Sequence, residues 1–343
     1  MATAKIVFDD ALFEDYKKAA VKWKKELLHI PVRTLGDVTK YMRGVGGVRK
    51  AIMLPEVKGN SQFGPFSATR KHDGTVSANW RPLITYHGNV IEEFSPVEAA
   101  ELIIGENDAL NGEAIKTGEV AKLVLTEQAV NRGQYLAQAI FTGKRKENGS
   151  TSADLFDGFN TIAEQEITAG KISAEKNNLY QLPVLTMANA ADELKNMLFS
   201  RDPFLRAKEC VLLVSPSVAD KYNESYLATH SATPYNTKYN QPYLEGSGNR
   251  VTIVALPELE GSDYFYLAPK ENFLYGYDTD AEGNTLDIMR PSHYTLSFAA
   301  DIYFGVQFHS IDPTMLTVIK ATKAAANVDP NAGGNNGGGA DGN

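Results

Sequence analysis

Read for hydrophobic and polar alternation, the chain divides into an N-terminal helical stretch, a β-rich stretch, a second helical stretch and a long β-rich C-terminal half. Asp9 or Asp10 can cap a helix running to about Leu28, with Leu12, Tyr16, Ala20, Trp23 and Leu27 on one face. Lys17, Lys18, Lys22, Lys24 and Lys25 fall mostly on the other faces and read as a solvated side. Arg43 to Lys50 (Arg-Gly-Val-Gly-Gly-Val-Arg-Lys) lacks the Gly-Lys-Ser/Thr of a phosphate loop and the spaced glycines of a dinucleotide fingerprint. Gly44, Gly46 and Gly47 therefore predict a flexible joint.

From Ala51 the pattern turns extended. Asp73-Gly74 is a two-residue hairpin signal, and it predicts arms over about Gln62 to His72 and Thr75 to Tyr86, carrying Phe63, Phe66 and Trp80. Two strands that long have little around them to cover their aromatics, so the hairpin should lie across its own domain or another subunit. Ser95-Pro96 with Glu98 opens a short helix. A longer one is expected over roughly Thr117 to Phe141, with Val120, Leu123, Val124, Val130, Ala137 and Phe141 on a face that Glu127 and Gln134 interrupt. A carboxylate on a buried stripe is costly without a partner. That face should thus be half-covered, or Glu127 should have a cation.

A polar loop (Arg145 to Ala153) leads into Leu155-Phe-Asp-Gly-Phe-Asn and a helix over Thr161 to Ala169, closed by Gly170-Lys-Ile. Asn189 to Ser200 reads as a helix, Cys210 to Val214 as a strand, and Ser215-Pro216 as the cap and first turn of another helix. Asn223 to Asn249 is irregular and rich in tyrosine, including Tyr235, Tyr239 and Tyr243. Beyond it, Val251 to Leu256, Tyr264 to Leu267 and Phe273 to Tyr277 read as strands separated by Pro and Gly corners. His293 to Val306 alternates as a strand or strand pair, and Met315 to Ile319 is the last strand. The tail from Asn327 is mostly Asn, Gly, Asp and Ala and should be disordered.

Chemistry changes this picture little. Asp278, Asp280, Glu282 and Gly283 match the first positions of a calcium loop, but Met289 stands where the closing Glu belongs, so a hairpin turn is expected there. Cys210, the single cysteine, excludes an intrachain disulfide and reads as a buried hydrophobe. No Gly-x-Ser-x-Gly elbow surrounds Ser215 or Ser217. Asp154, Asp157, Glu164 and Glu166 are the only crowded acids. A formal charge of -8 argues against a broad basic nucleic-acid surface. No apolar run reaches the ~20 residues that span a bilayer, and the first ten residues lack signal-peptide features. The expectation is no enzyme, no catalytic residue, no cofactor, no metal and no membrane partner.

The order of elements resembles tailed-bacteriophage major capsid proteins, whose fold encapsulin shells share. The resemblance rests on the long helix ending Ala139-Ile-Phe-Thr-Gly, the polar loop, Leu155-Phe-Asp-Gly-Phe, the helix closed by Gly170-Lys-Ile, and the strand–corner–strand–turn–strand series of Arg250 to Asp278. It spans roughly Ala51 to Ile319. It implies an α+β Hong Kong 97-like capsid fold with an N-terminal arm (1–50), an extended β-hairpin or E-loop (51–94), and a P-domain with a long spine helix (95–150, 183–225 and 309–322). The A-domain would take 151–182 and 226–308, followed by a tail (323–343). It further implies an icosahedral shell of pentamers and hexamers in a virion assembled in the host cytoplasm. Scaffolding, portal and decoration proteins, and packaged double-stranded DNA bound without sequence specificity, are the implied partners. Under the resemblance Phe63, Phe66, Asp73, Gly74, Trp80, Trp23, Tyr235, Tyr239 and Tyr243 are subunit-interface candidates, and Gly44, Gly46 and Gly47 hinge candidates. An encapsulin-like compartment shell and a β-rich hydrolase or carbohydrate-binding protein remain as alternatives.

Overall fold

A computed structural model describes residues 10–60, 63–69, 74, 76–95, 117–229, 242–278, 286–292 and 295–322. The expected short helix after Ser95, the tail, Asp73, Tyr235 and Tyr239 lie outside them.

Among the described residues, two five-stranded sheets and a two-stranded ribbon organise the fold. The first sheet joins β1 (Arg43–Gly46), β4 (Tyr86–Phe94), β9 (Phe273–Asp278), β10 (Leu286–Met289) and β11 (Leu296–Phe308). The 13-residue β11 is its spine: β4 pairs with one side, while β9 and β10 follow one another along the other. β9 and β10 each pair with β11 and not with one another, so they are not the two arms of the expected hairpin; residues 279–285 lie outside the described residues. β10 instead turns back into β11, Met289 opposite Ser297.

The even-numbered residues of β11 face the core. Phe304 packs on Phe156 at 5.2 Å and Phe308 on Phe159 at 4.8 Å between ring centroids. The distal half of that face is covered by α1 (Asp10–Thr34) and α3 (Thr117–Thr142); between them lies the short α2 (Gly36–Thr39). The buried positions described in α3 are Leu125, Ala129, Gly133, Leu136, Ala137, Ala139, Ile140 and Phe141, one face in the first half that widens toward the C-terminus. Ala137 and Phe141 are buried as expected, whereas Leu123 is exposed; Glu127 is exposed too and needs no partner. α1 runs through Pro31 to Thr34, past the expected end at Leu28. Bare Gly133 lets it close on α3, since a Cβ there would meet the Pro31 carbonyl at 2.8 Å.

The second sheet has the order β5 (Leu179–Leu182), β12 (Thr317–Ala321), β8 (Tyr264–Ala268), β6 (Cys210–Val214), β7 (Val251–Ala255). β6 is apolar along its whole length because both faces are covered. α5 (Ala190–Phe199) and α7 (Pro216–Thr229) pack on one side through Leu194, Met197 and Tyr222; α6 (Pro203–Arg206) links α5 to β6. Ser215 caps α7, its hydroxyl accepting from the Val218 amide at 3.3 Å. Burial pushes the Cys210 thiol up to about 12, so it stays a protonated core side chain. α4 (Phe159–Thr168) ends as the Gly170-Lys-Ile signal requires. The amides of Gly170 and Lys171 bond the carbonyls of Ile167 and Glu166, each at 2.9 Å, with Gly170 at φ +65.

The sheets cut across the expected segments. β6, within 183–225, sits between β7 and β8 of 226–308, whereas β9 and β11 share a sheet with β1 and β4. α7 runs on to Thr229, into the stretch expected to be irregular from Asn223, and its Tyr222 is buried and accepts from the Glu245 amide at 2.8 Å.

Candidate assembly surface

The ribbon consists of β2 (Ala51–Gly59) and β3 (Val76–Ile84), Gly59 opposite Val76. The hairpin arms thus differ from those expected. Its first strand is the Ala-Ile-Met-Leu-Pro-Glu-Val run, and residues 63–69 are not strand. Gly74 lies in the connection 60–75 that joins Gly59 to its partner Val76, and Asp73 is outside the described residues. β4 is a separate strand that has left the ribbon for β11.

Side chains directly opposite in an antiparallel pair share a face. The register therefore separates the ribbon into two faces. One carries Met53, Pro55, Val57, Val76, Ala78, Trp80, Pro82 and Ile84, without a single charge. The other carries Ile52, Leu54, Glu56, Lys58, Ser77, Arg81 and Leu83. A one-sided ribbon normally turns its apolar face to the protein and its polar face to water. Here the orientation is reversed.

The polar face is bonded to the chain's own body. Arg81 donates to Glu166 Oε1 at 2.8 Å, to the Phe308 carbonyl at 3.1 Å and to Gln307 Oε1 at 3.1 Å. Ser310 Oγ donates to Glu56 Oε1 at 2.6 Å, and Lys58 pairs with Asp312. Burial pushes the Asp312 carboxyl up, but hydrogen bonds from Lys58 and Thr314 and the Lys58 charge outweigh it and hold the group below its ordinary value. At the root Leu83 is buried, and the Thr85 hydroxyl donates to the Val48 carbonyl at 2.8 Å. The apolar face has no such cover: Met53 is 57%, Val57 66%, Val76 75% and Trp80 60% exposed.

Of the other interface candidates, Phe63 and Phe66 are fully exposed in the connection beyond β2. Tyr243 is at the margin of exposure, bridged to Thr252. Trp23 is half-buried against its own α3, with the Lys122 ammonium 5.1 Å from the ring centroid. The glycine joint is a strand: Gly44 and Gly46 lie in β1, parallel to β9, and only Gly47 has positive φ, +76. Gly44 is required by close approach, because a Cβ would meet the Tyr275 hydroxyl at 2.6 Å. Sequence reasoning missed Glu56, Lys58 and Arg81. Their alternation with Met53, Pro55, Val57 and Trp80 was the available signal.

The crowded acids do not converge. Asp154 bonds Thr151 and Lys146, Asp157 accepts from the Arg145 amide and Gln165, and Glu166 takes Arg81 and Lys171. Glu164 lines an open depression with Lys144, Thr161 and Thr168. Among the described residues no group of three or more His, Cys, Asp or Glu could hold a metal, and no helix is long and apolar enough to cross a membrane.

Two sheets around a long helix, with a β-ribbon standing on the first sheet, define the α+β Hong Kong 97-type capsid fold, that of tailed-phage major capsid proteins. No protein-family model and no curated protein matches the sequence. Among solved structures, the chain is similar to the capsid of a native GTA particle (TM-score 0.52, 10% identity, covering 84% of this chain and 91% of that one). It is similar also to the satellite phage P4 procapsid including the size determination protein (TM-score 0.51, 12% identity, 94% and 93% covered). The capsid of Myoviridae phage XM1 is a third (TM-score 0.51, 8% identity, 84% and 92% covered).

Proposed function

We propose that this chain is the major subunit of an icosahedral virion head, self-assembling through pentamers and hexamers around double-stranded DNA. The observation that carries the reading is the reversed ribbon. A free monomer would leave Met53, Val57, Val76 and Trp80 in water while keeping its salt bridges inside, an arrangement that suits a second copy covering the outer face. In this reading the ribbon is the E-loop, α3 with its sheet the P-domain, and the second sheet with α5 and α7 the A-domain. The protein works by burying interfaces and performs no chemistry. The net charge of -8 suits a wall that packaged DNA touches without sequence recognition. Scaffolding, portal and decoration proteins are its expected partners, and the host cytoplasm its place of assembly.

The test is electron microscopy of the purified chain across salt concentrations, alone and with its scaffolding partner co-expressed. Closed particles support the proposal, and nuclease-protected DNA inside virions distinguishes a head from a compartment filled with a cargo protein. Subunits that remain monomeric under every condition overturn it.

A further inference from the structure

The net charge of the whole chain conceals a segregated segment. Residues 17–50 hold ten of the 34 Lys and Arg but only two of the 42 Asp and Glu, which leaves 24 cations against 40 acids in the remainder. Within α1 the helix orders these cations. Lys18, Lys22 and Arg33 are four and then eleven residues apart, one turn and then about three, so they form a line on the side away from buried Leu27. All three are exposed, and the line runs about 22 Å from Lys18 to Arg33. Lys40 at the end of α2, Arg43 at the start of β1, and Lys50 are exposed next along the chain.

These charges are not neutralised within the subunit. Among the described residues none of Lys18, Lys22, Arg33, Lys40, Arg43 and Lys50 forms an ion pair. Glu26, which borders the line, pairs with Lys122 at 3.5 Å, and Glu14, one turn before Lys18, marks its end. The chain has carboxylates enough to match them but places exposed ones across the first sheet. Glu93 and Asp287 lie opposite the odd-numbered residues of β11, on the face away from α1. The first sheet thus separates an anionic face from a helix layer with a cationic surface.

We infer that the line of α1 cations is a binding surface for the phosphate backbone of double-stranded DNA. The inference rests on the head reading above and names the part of the subunit that packaged DNA would meet. Two observations choose that occupant over a protein. A protein partner needs an apolar centre within the charged rim, and the line offers only Val21, 73% exposed. Phosphate contact needs only unpaired surface cations and carries no sequence information. A duplex presents one charge per about 1.7 Å of its axis, so a line of about 22 Å meets phosphates in any register. A narrow line of this kind is compatible with an acidic chain, where a broad basic face is not.

The test uses full-length protein held below its assembly threshold. It is titrated into two fluorescent duplexes of about 20 base pairs and unrelated sequence, between about 25 and 200 mM salt. Both should bind equally, with an affinity that falls linearly on logarithmic axes as salt rises. K18Q/K22Q/R33Q should lose about tenfold at the low-salt end and flatten that slope by about 3. K144Q/K221Q/K270Q removes the same charge from the loop after α3, from α7 and from the β8–β9 turn, and should keep the wild-type slope. Thermal melts of both variants should match wild type, because the three α1 side chains are exposed and glutamine suits a helix. The line is refuted if wild type binds neither duplex, if the α1 variant keeps the wild-type slope, or if the control variant loses as much. Polyglutamate that displaces the labelled duplex as well as unlabelled duplex does would assign the line to an acidic protein and overturn it too. The head reading falls on different evidence, a wild type that never forms particles; K18Q/K22Q/R33Q should still form them.

Discussion

Replacing Trp80 with alanine should leave the subunit intact and weaken its assembly, the reverse of what removing a buried tryptophan does. Trp80 is 60% exposed on the outer face of the ribbon, and its cross-strand neighbour is Pro55. A tryptophan offers about 250 Å2, so about 150 Å2 remains open. At about 25 cal/mol/Å2, covering it contributes about 4 kcal/mol per contact. Ordering the side chain and its partners costs about 1 kcal/mol, leaving about 2–3 kcal/mol. That is a loss of roughly thirty- to hundredfold in affinity at each contact, multiplied around a closed shell. Within the subunit the covered two-fifths of the side chain, about 100 Å2, is lost, at most about 2.5 kcal/mol on the same scale. Sedimentation velocity gives the concentration threshold for particles, and urea unfolding of unassembled protein gives subunit stability. The reasoning is refuted if W80A loses more than about 3 kcal/mol as a subunit, since the ring would then already be buried. It is equally refuted if the variant assembles at the wild-type threshold.

Arg81→Ala should destabilise the subunit by about 2–3 kcal/mol in urea unfolding. That is less than a fully buried pair would lose, because Glu166 keeps Lys171 at 3.2 Å. Arg81→Lys should recover only part of it, since one ammonium cannot span three acceptors. Gly170→Ala should cost about 1 kcal/mol, from backbone conformation alone: φ is +65 and nothing lies within 4 Å of the new methyl. Asp312→Asn should flatten the acid limb of the stability profile. The folded carboxyl titrates below its unfolded value, so its contribution is complete above about pH 4 and is lost as pH falls through the folded value. Urea midpoints of wild type and D312N should therefore converge on acidification, and parallel curves would show that Lys58 does not hold the carboxylate.

Much of the architecture was legible because local signals and the final packing agree. α3 begins and ends within a residue of its expected limits, Ser215 caps α7, and Gly170 closes α4, all features set by neighbours along the chain. The failures are all questions of partner. Asp73-Gly74 is a sound local turn signal, yet Ala51–Gly59 outcompeted Gln62 to His72 for Val76–Ile84. β4 was hidden in the same extended run because its partner, Leu296–Phe308, lies some two hundred residues away. The first half of α3's buried face was misjudged, though Ala137 and Phe141 were not, because Leu123 and Val124 fit an apolar stripe as well as Leu125 and Ala129 do, and only the position of α1 chooses between them. The candidate surface was half legible. The aromatics could be read, but their common outward face needed the β2–β3 register.

That register also decides where the fold can yield. A hinge at Gly44 to Gly47 would let the ribbon swing as a body, but those residues are hydrogen-bonded to β9 or, at Val48, hold the Tyr277 carbonyl at 3.3 Å. The root is fixed further where its backbone at Ile84 and Thr85 rests on Gly305 and the side chains of Leu83 and Thr85 close on Gly276. Three bridges from Glu56, Lys58 and Arg81 then tie the polar face along residues 307–312 and to Glu166. Each addition shortens the part of the ribbon free to move, and the ties to the body reach out along it as far as Lys58. Phe63 and Phe66 stand exposed beyond the last of these ties. The root sets the direction of approach as rigidly as the sheet it stands on.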